Sequence, residues 1–491
     1  MLTSITDNRR SLARWYGMAI AGGMACALLI ANPAIRPVWV LFGLLLLVVL
    51  LEGMLKFPAA MLVPVIFIPQ WKDQSFLAGF QSRVDLTVVS LIILCITVLL
   101  NSVGPLARGR AIKEVFAGQG KGIIAFFSFA VIVALSYLYT PAPNWGFTQV
   151  SRLFGIGGLL FLSPFILVKE EKDFRAFAIA FVVFAMPLAA QMIFMPRYSV
   201  TVWGWTYGVK TDIGGGWLLG MAILLLFYYP FTRSSSSKWI LMLLCGPLLL
   251  GGLVASTARG PLVSLVFAFL VTPLVLSRTR GARAKVRTTL VVLLLLVTSM
   301  VAAYSLLPWM GGKFQEKTRE LERIAQGSWP GGTAGERLVF YKAALKEITE
   351  RPVLGLGVGG WSVYFYGDDA RGYPHNLLLL IAAEQGLVGV TALGVFLWIV
   401  ALTLKRILAA TGDRYAVLFA LVLFSVTVGM FSGDLDMNRL LWLWCGMSFV
   451  FARMLSLTAG TPQTFQPRPN SERWSPRYAK SSTRSYAGTL G

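Results

Sequence analysis

Charge is scarce in this chain. Only 13% of its 491 residues are Asp, Glu, Lys or Arg, about half the share that soluble domains carry, so a water-soluble globule is excluded. Histidine occurs once, at His375. That removes metal sites built from several imidazoles and every Ser-His or Cys-His arrangement that does not use this residue. Cysteine occurs four times, at Cys26, Cys95, Cys245 and Cys445. All four fall inside apolar segments without metal-ligand spacing, and they read as small hydrophobes. Acidic residues number 22 against 44 Lys+Arg, a formal charge of +22. This excess does not point to nucleic acid, because the cations concentrate in short connections between apolar runs, as the positive-inside rule requires, where they also meet anionic headgroups.

What is abundant is apolar sequence: 56% of residues belong to the set AVILMFWYC and the mean hydropathy is +0.69. Apolar runs occupy 16–31, 38–51, 57–70, 84–100, 122–139, 153–168, 174–195, 213–231, 239–256, 260–276, 289–307, 387–404, 415–430 and 438–456. With about 20 residues per span, these predict an all-α, polytopic helical bundle with about 12–14 transmembrane helices. The 57–70 run is short, contains Pro58, Pro64 and Pro69, and has the marks of a broken or re-entrant segment. The first run follows Arg9, Arg10 and Arg14 without a small-residue cleavage site, so it is expected to remain as a first span. No internal repeat is visible, which gives the inverted-repeat plan of many transporters no support.

Clusters at Arg108–Lys121, Lys169–Arg175, Arg278–Arg287 and Lys405–Arg414 mark the cytoplasmic side, and the basic segment 457–491, with Arg468, Arg473, Arg477, Lys480 and Arg484, reads as a disordered cytoplasmic tail. Residues 1–456 then form one membrane body with both termini inside. The connection 308–386 falls on the outer side and is too long to be a mere connector. Within it, 336–350 is amphipathic, with Leu338, Tyr341, Leu345 and Ile348 on one face, as in a helix lying at the membrane surface.

The same count puts Arg197, Lys210, Asp212, Arg259, Arg337, Arg371, His375, Asp434, Asp436 and Arg439 at outer span ends or in outer loops. Any one of them can be an ordinary charge reaching to water. Arg259 stands apart, since it lies in S-T-A-R-G-P between two apolar runs with almost no loop around it, and a charge near membrane depth is a functional candidate by default. Arginines facing a lone histidine suit a diphosphate and a proton acceptor: guanidinium forks match phosphate oxygens, and neutral imidazole takes up a proton near pH 7. The G-L-G-V-G-G stretch at 355–360 follows a helix rather than a strand, so it is not read as a nucleotide site. Its glycines fit a tight turn that brings Arg337 and His375 together. Outer aromatics such as Trp203, Trp205, Tyr207, Trp361, Tyr364, Tyr366 and Tyr373 fit an interfacial belt, with sugar stacking as the minority alternative.

The run G-E-R-L-V-F-Y-K-A-A-L-K-E-I-T-E-R-P-V-L-G-L-G-V-G-G-W (335–361), followed by Y-P-H-N-L-L-L-L-I-A-A-E-Q-G-L-V-G-V (373–390), resembles the signature region of the O-antigen ligase and Wzy polymerase superfamily. S-T-A-R-G-P-L-V-S-L (256–265) and G-D-L-D-M-N-R-L-L-W-L-W-C-G-M (433–447) are similar to further pieces of that family, so the resemblance extends over about 213–456. At 207–220 the chain departs from it: the Pro-Asn pair of many members is absent, and Lys210 stands where a guanidinium is usual. An ammonium cannot make the planar bidentate contact.

The resemblance implies a metal-independent inverting glycosyltransferase of the bacterial inner membrane, without cofactor or nucleotide sugar, with its active site on the periplasmic side. Its implied partners are an undecaprenyl-diphosphate-linked oligosaccharide and an acceptor glycan, either a lipid-linked repeat unit or lipid A-core. It implies His375 as general base and Arg259 and Arg337 as the catalytic holders of the diphosphate. Arg197, Lys210, Arg371 and Arg439 follow as further phosphate contacts, Asp434 as an acceptor-sugar contact and Glu384 as an orienting group; structural roles for the last two stay open. Polymerase and ligase both fit. The polymerase is favoured because nothing in the outer loop points to a particular large acceptor. A lipid-linked glycan transporter is the more distant alternative.

Overall fold

A computed structural model describes residues 56–71, 86–107, 118–194, 200–202, 205–207, 213–229, 231, 235–256, 258–276, 294 and 333–460. The expected spans at 16–31, 38–51 and 289–307, the candidates Arg197 and Lys210, and the tail from 461 lie outside these residues.

The described chain is a helical membrane bundle. In order its helices are α1 (Leu62–Trp71), α2 (Leu86–Ala107), α3 (Gly120–Leu135), α4 (Pro143–Arg152), α5 (Gly158–Leu167), α6 (Glu171–Phe194) and α7 (Ile213–Tyr228). There follow α8 (Ser235–Ala255), α9 (Arg259–Leu276), α10 (Thr333–Glu350), α11 (Gly360–Tyr366), α12 (Leu377–Thr411), α13 (Ala416–Gly429) and α14 (Arg439–Gly460). Five segments among the described residues are long and apolar enough to cross a bilayer: Gly120–Tyr139, Pro143–Leu167, Glu171–Phe194, Arg259–Leu276 and Leu377–Thr411. Shorter apolar helices complete the bundle, including Pro58–Gln70, which is packed inside it, with Leu62 and Phe67 at 0% exposure.

Three details depart from the sequence reading. A small antiparallel ribbon, β1 (Val200–Val202) against β2 (Trp205–Tyr207), interrupts the otherwise helical chain. The run expected at 153–168 begins ten residues earlier, at Pro143, because α4 passes into α5 through one π-helical turn at Leu153–Gly157. Of the polar T-Q-V-S-R that hid this continuity, Gln149 alone is buried. The last helix also runs on to Gly460 rather than ending near 456.

The centre of the bundle is α14. Trp442 has no exposed surface and packs against Phe126, Phe129 and Phe396 from α3 and α12. Trp444 packs against Phe177 and Phe181 of α6, and its indole N–H points to the sulfur of Met221 in α7 at 3.3 Å. Small residues let backbones meet, as in other membrane helix pairs. A Cβ at Gly446 would lie 2.2 Å from the carbonyl of Phe161, so α14 and α5 touch there directly.

Candidate active site

The site is assembled on the loop Met430–Asn438 between α13 and α14. Helix α13 has only 14 residues, about 21 Å, whereas a hydrocarbon core is about 30 Å thick. A loop that ends so short a helix needs partners from the protein for its irregular backbone, and it has them. The backbone N–H of Met437 donates to Oδ1 of Asp434 at 2.8 Å, and Asn438 Nδ2 donates to the Asp434 carbonyl at 2.8 Å. Gly433 takes φ of +100° to make the turn.

Four helix N-termini surround this loop. Asn376, the N-cap of α12, donates from Nδ2 to the Met430 carbonyl at 3.1 Å, while its Oδ1 accepts from the Leu379 N–H at 3.0 Å. The start of α9 meets the loop where Gly260 abuts Phe431, and the start of α7 meets it where Trp217 abuts Gly433. The fourth is α14 itself. Each N-terminus carries partial positive charge, a setting that favours an anion.

Helix α10 approaches from the side. Its inward face is Phe340, Ala344, Glu347 and Ile348, packed on Trp361, Leu380 and Ala383. Leu338 and Leu345, expected on the apolar face that lies at the membrane surface, are 45% and 54% exposed. The helix thus has two apolar faces, one toward the protein and one outward, and a single-stripe reading merged them. Phe340 lies over the His375 ring with centroids 5.7 Å apart and planes 19° from parallel. Arg337 is one turn earlier on the same side of α10 and half-buried.

The glycine turn after α10 is locked to α12 by a break in that helix. Gly386 has φ of 61° and ψ of −157°, a region open essentially to glycine alone. The groups freed by the break are paired: Leu356 and Gly357 donate to the carbonyls of Ala383 and Glu384, and Leu387 donates to that of Pro352. The turn also docks on the end of α3, where the Thr140 hydroxyl donates to the Val358 carbonyl at 2.7 Å and Val358 N–H to Ser136 Oγ at 3.1 Å. Glu384 is fully buried behind this turn, its carboxylate facing the backbone N–H groups of Gly359 and Trp361. Trp361 is also fully buried, stacked on Phe365 at 4.9 Å. Farther along, the Asp369 carboxylate accepts from the N–H groups of Asn144 and Trp145, tying the segment to α4.

His375 is the one non-glycine residue with positive φ, 57°, among the described residues. Such strain persists only where neighbours impose it. Here Phe340, Tyr373 at 4.6 Å between ring centroids, and the Asn376 cap impose it. Burial, then the charges of Arg337 and Arg371, hold the imidazole down to a pKa of about 4, well below its ordinary value of about 6.5. At neutral pH the ring is uncharged.

Arg371 donates from Nε and from Nη2 to Oδ2 of the fully buried Asp434, both at 3.0 Å, and lies over the Tyr373 ring at 5.7 Å. Arg439 is surrounded electrostatically by Asp436, Asp434, Arg152 and Arg371. The structure thus brings together His375, Arg337, Arg371, Asp434 and Arg439. It places Arg259 at the first residue of α9, with its side chain exposed, beside the same loop. Glu384 is set apart behind the turn. Arg152, whose Nη1 donates to Asp436 Oδ2 at 3.0 Å, was not singled out from the sequence. The criterion that found Arg259 misses it, because Arg152 ends the polar connection 140–152 rather than interrupting apolar sequence.

Residues 244–394 match the family Wzy_C, described as O-Antigen ligase. The matched stretch contains Arg259, α10 with Arg337, His375 and the break at Gly386, so the superfamily resemblance carried by those motifs holds over the stretch where the match falls. No curated protein matches the chain. Over that stretch, under a third of the chain, the protein is similar to an O-antigen ligase, and its described helices form a multi-pass membrane bundle.

Proposed function

We propose that this O-antigen ligase and Wzy superfamily chain transfers a glycan from undecaprenyl diphosphate to an acceptor sugar hydroxyl, with inversion and without a metal, at the periplasmic face of the bacterial inner membrane. The observation that carries this reading is the neutral, strained His375 held between Arg337 and Arg371 at a gathering of helix N-termini. His375 takes the proton of the acceptor hydroxyl. The hydroxyl oxygen bonds to the anomeric carbon from the face opposite the diphosphate, and the bond from that carbon to the phosphate oxygen breaks.

Arg337 and Arg259 hold the departing diphosphate, with Arg371, Arg439, Arg197 and Lys210 as further phosphate contacts; preorganised donors of this kind act more strongly away from bulk water. The donor's negative charge offsets the two arginine charges that depress His375, so its proton affinity rises once donor is bound. Asp434 supports the acceptor side through Arg371. Glu384, enclosed behind the glycine turn, acts by fixing that turn rather than by touching sugar.

A Wzy-type polymerase of an O-antigen or exopolysaccharide is the favoured form. The ligase that hands the glycan to lipid A-core is the second reading. No comparison supports a transporter. Purified protein in lipid, given one undecaprenyl-diphosphate repeat unit and EDTA, is expected to yield a ladder of longer lipid-linked chains. Transfer seen only after lipid A-core is added selects the ligase, and no transfer to either acceptor contradicts the reading.

A further inference from the structure

Helix α4 carries Trp145, Gln149 and Arg152 at i, i+4 and i+7, which places them in one stripe on one face. The helix belongs to the membrane-crossing segment Pro143–Leu167, where an inward stripe is expected to be apolar. This one is polar, and its first two residues are enclosed. Trp145 is 7% exposed and Gln149 0%. Neither the indole N–H of Trp145 nor either polar atom of the Gln149 carboxamide has a hydrogen-bond partner among the described residues.

At the end of the stripe the Arg152 guanidinium lies 6.0 Å from the Trp145 ring centroid and donates to Oδ2 of Asp436. The other oxygen of Asp436, Oδ1, is buried without a partner. Arg152 begins a π-helical turn, a distortion frequent at functional sites. Arg152 is nine residues past Pro143, about 14 Å, along a segment long and apolar enough to cross a bilayer. Ionised groups at such depth mark substrate routes.

The atom types identify the ligand. A phosphate offers only acceptors, so a site built for it presents donors. Here donors (Trp145 Nε1, Gln149 Nε2 and Arg152) stand with unused acceptors (Gln149 Oε1 and Asp436 Oδ1), and a sugar hydroxyl is both donor and acceptor. Electrostatic influence also links His375 to Arg371 and Arg439 to Asp434 and Asp436, with ion pairs Arg371–Asp434 and Arg152–Asp436 at either end.

We propose that Trp145, Gln149, Arg152 and Asp436 form a glycan subsite that takes hydroxyls of the acceptor, one or more sugar units away from the attacking oxygen. It rests on the glycosyltransferase reading. Access is from the Arg152–Asp436 end, where the side chains are 41% and 14% exposed; Gln149 lies deeper.

The test uses the full chain in nanodiscs and, as probe, the oligosaccharide released by mild acid from the host's own lipid-linked pool. This probe has neither lipid nor diphosphate. Gln149→Leu removes an unsatisfied carboxamide and is expected to fold at least as well as the parent; Asp436→Asn keeps the shape and turns one acceptor into a donor. Each variant is expected to bind the oligosaccharide at least tenfold more weakly by calorimetry, with affinity for the undecaprenyl-diphosphate donor within twofold of the parent. Unchanged oligosaccharide binding in both variants, or an equal loss for donor and oligosaccharide, overturns the subsite. Failure of the parent reading looks different, since parent protein would then bind the probe yet transfer nothing to any acceptor.

Discussion

At the scale of single residues, His375 combines a left-handed backbone, a ring sandwiched by Phe340 and Tyr373, and two neighbouring guanidinium charges. Because it is the chain's only histidine, protein labelled at histidine gives one imidazole signal in an NMR titration, free of assignment. The expected midpoint is about 4, set by burial and then by Arg337 and Arg371. The sign is fixed by the causes: each disfavours the imidazolium, so removing one raises the midpoint. Arg337→Gln is expected to move it upward toward 6.5, the ordinary value, and inorganic diphosphate bound to the parent protein is expected to move it the same way. A parent ring that titrates near 6.5, unaffected by Arg337→Gln, contradicts the electrostatic account. His375 and Arg337 were legible in the sequence because their motifs are local. Their coupling was not, since Arg371 is joined to Asp434 across 63 residues and Arg152 to Asp436 across 284, and no periodicity encodes such pairings.

At the scale of elements, the break in α12 decides where the site stands. It exchanges helical hydrogen bonds for bonds to the turn after α10 and so fixes that turn beside the site. A Cβ at Gly386 would lie 2.3 Å from the Val353 carbonyl, at a φ of 61°. Gly386→Ala is therefore expected to cost about 1–3 kcal/mol in backbone strain alone, with the clash added. Differential scanning fluorimetry in detergent is expected to show a lower apparent melting temperature, and an unchanged one contradicts the assigned strain. The sequence displays the Glu-x-Gly that holds this break, yet nothing in it says that the glycine interrupts one helix rather than ending it. The phase of α10 was hidden for a related reason. A helix that meets protein on one side and faces outward with apolar residues on another carries two stripes, and Leu338 and Leu345 belong to the exposed one.

At the scale of the whole molecule, a bundle centred on the enclosed α14 supports a loop ringed by four helix N-termini. The composition made the membrane body plain, and the apolar runs located most of its described helices. The convergence of the N-termini was beyond reach of the runs, because it depends on how short α13 is. On the proposed reading, that architecture holds the diphosphate independently of His375, which takes the proton of the attacking hydroxyl. Single-turnover transfer by His375→Ala, compared with the parent under saturating donor and with donor affinity measured separately, tests this division most directly. The account predicts a rate lower by about 10²–10⁴-fold with donor affinity changed by no more than a few fold; transfer at the parental rate would contradict it.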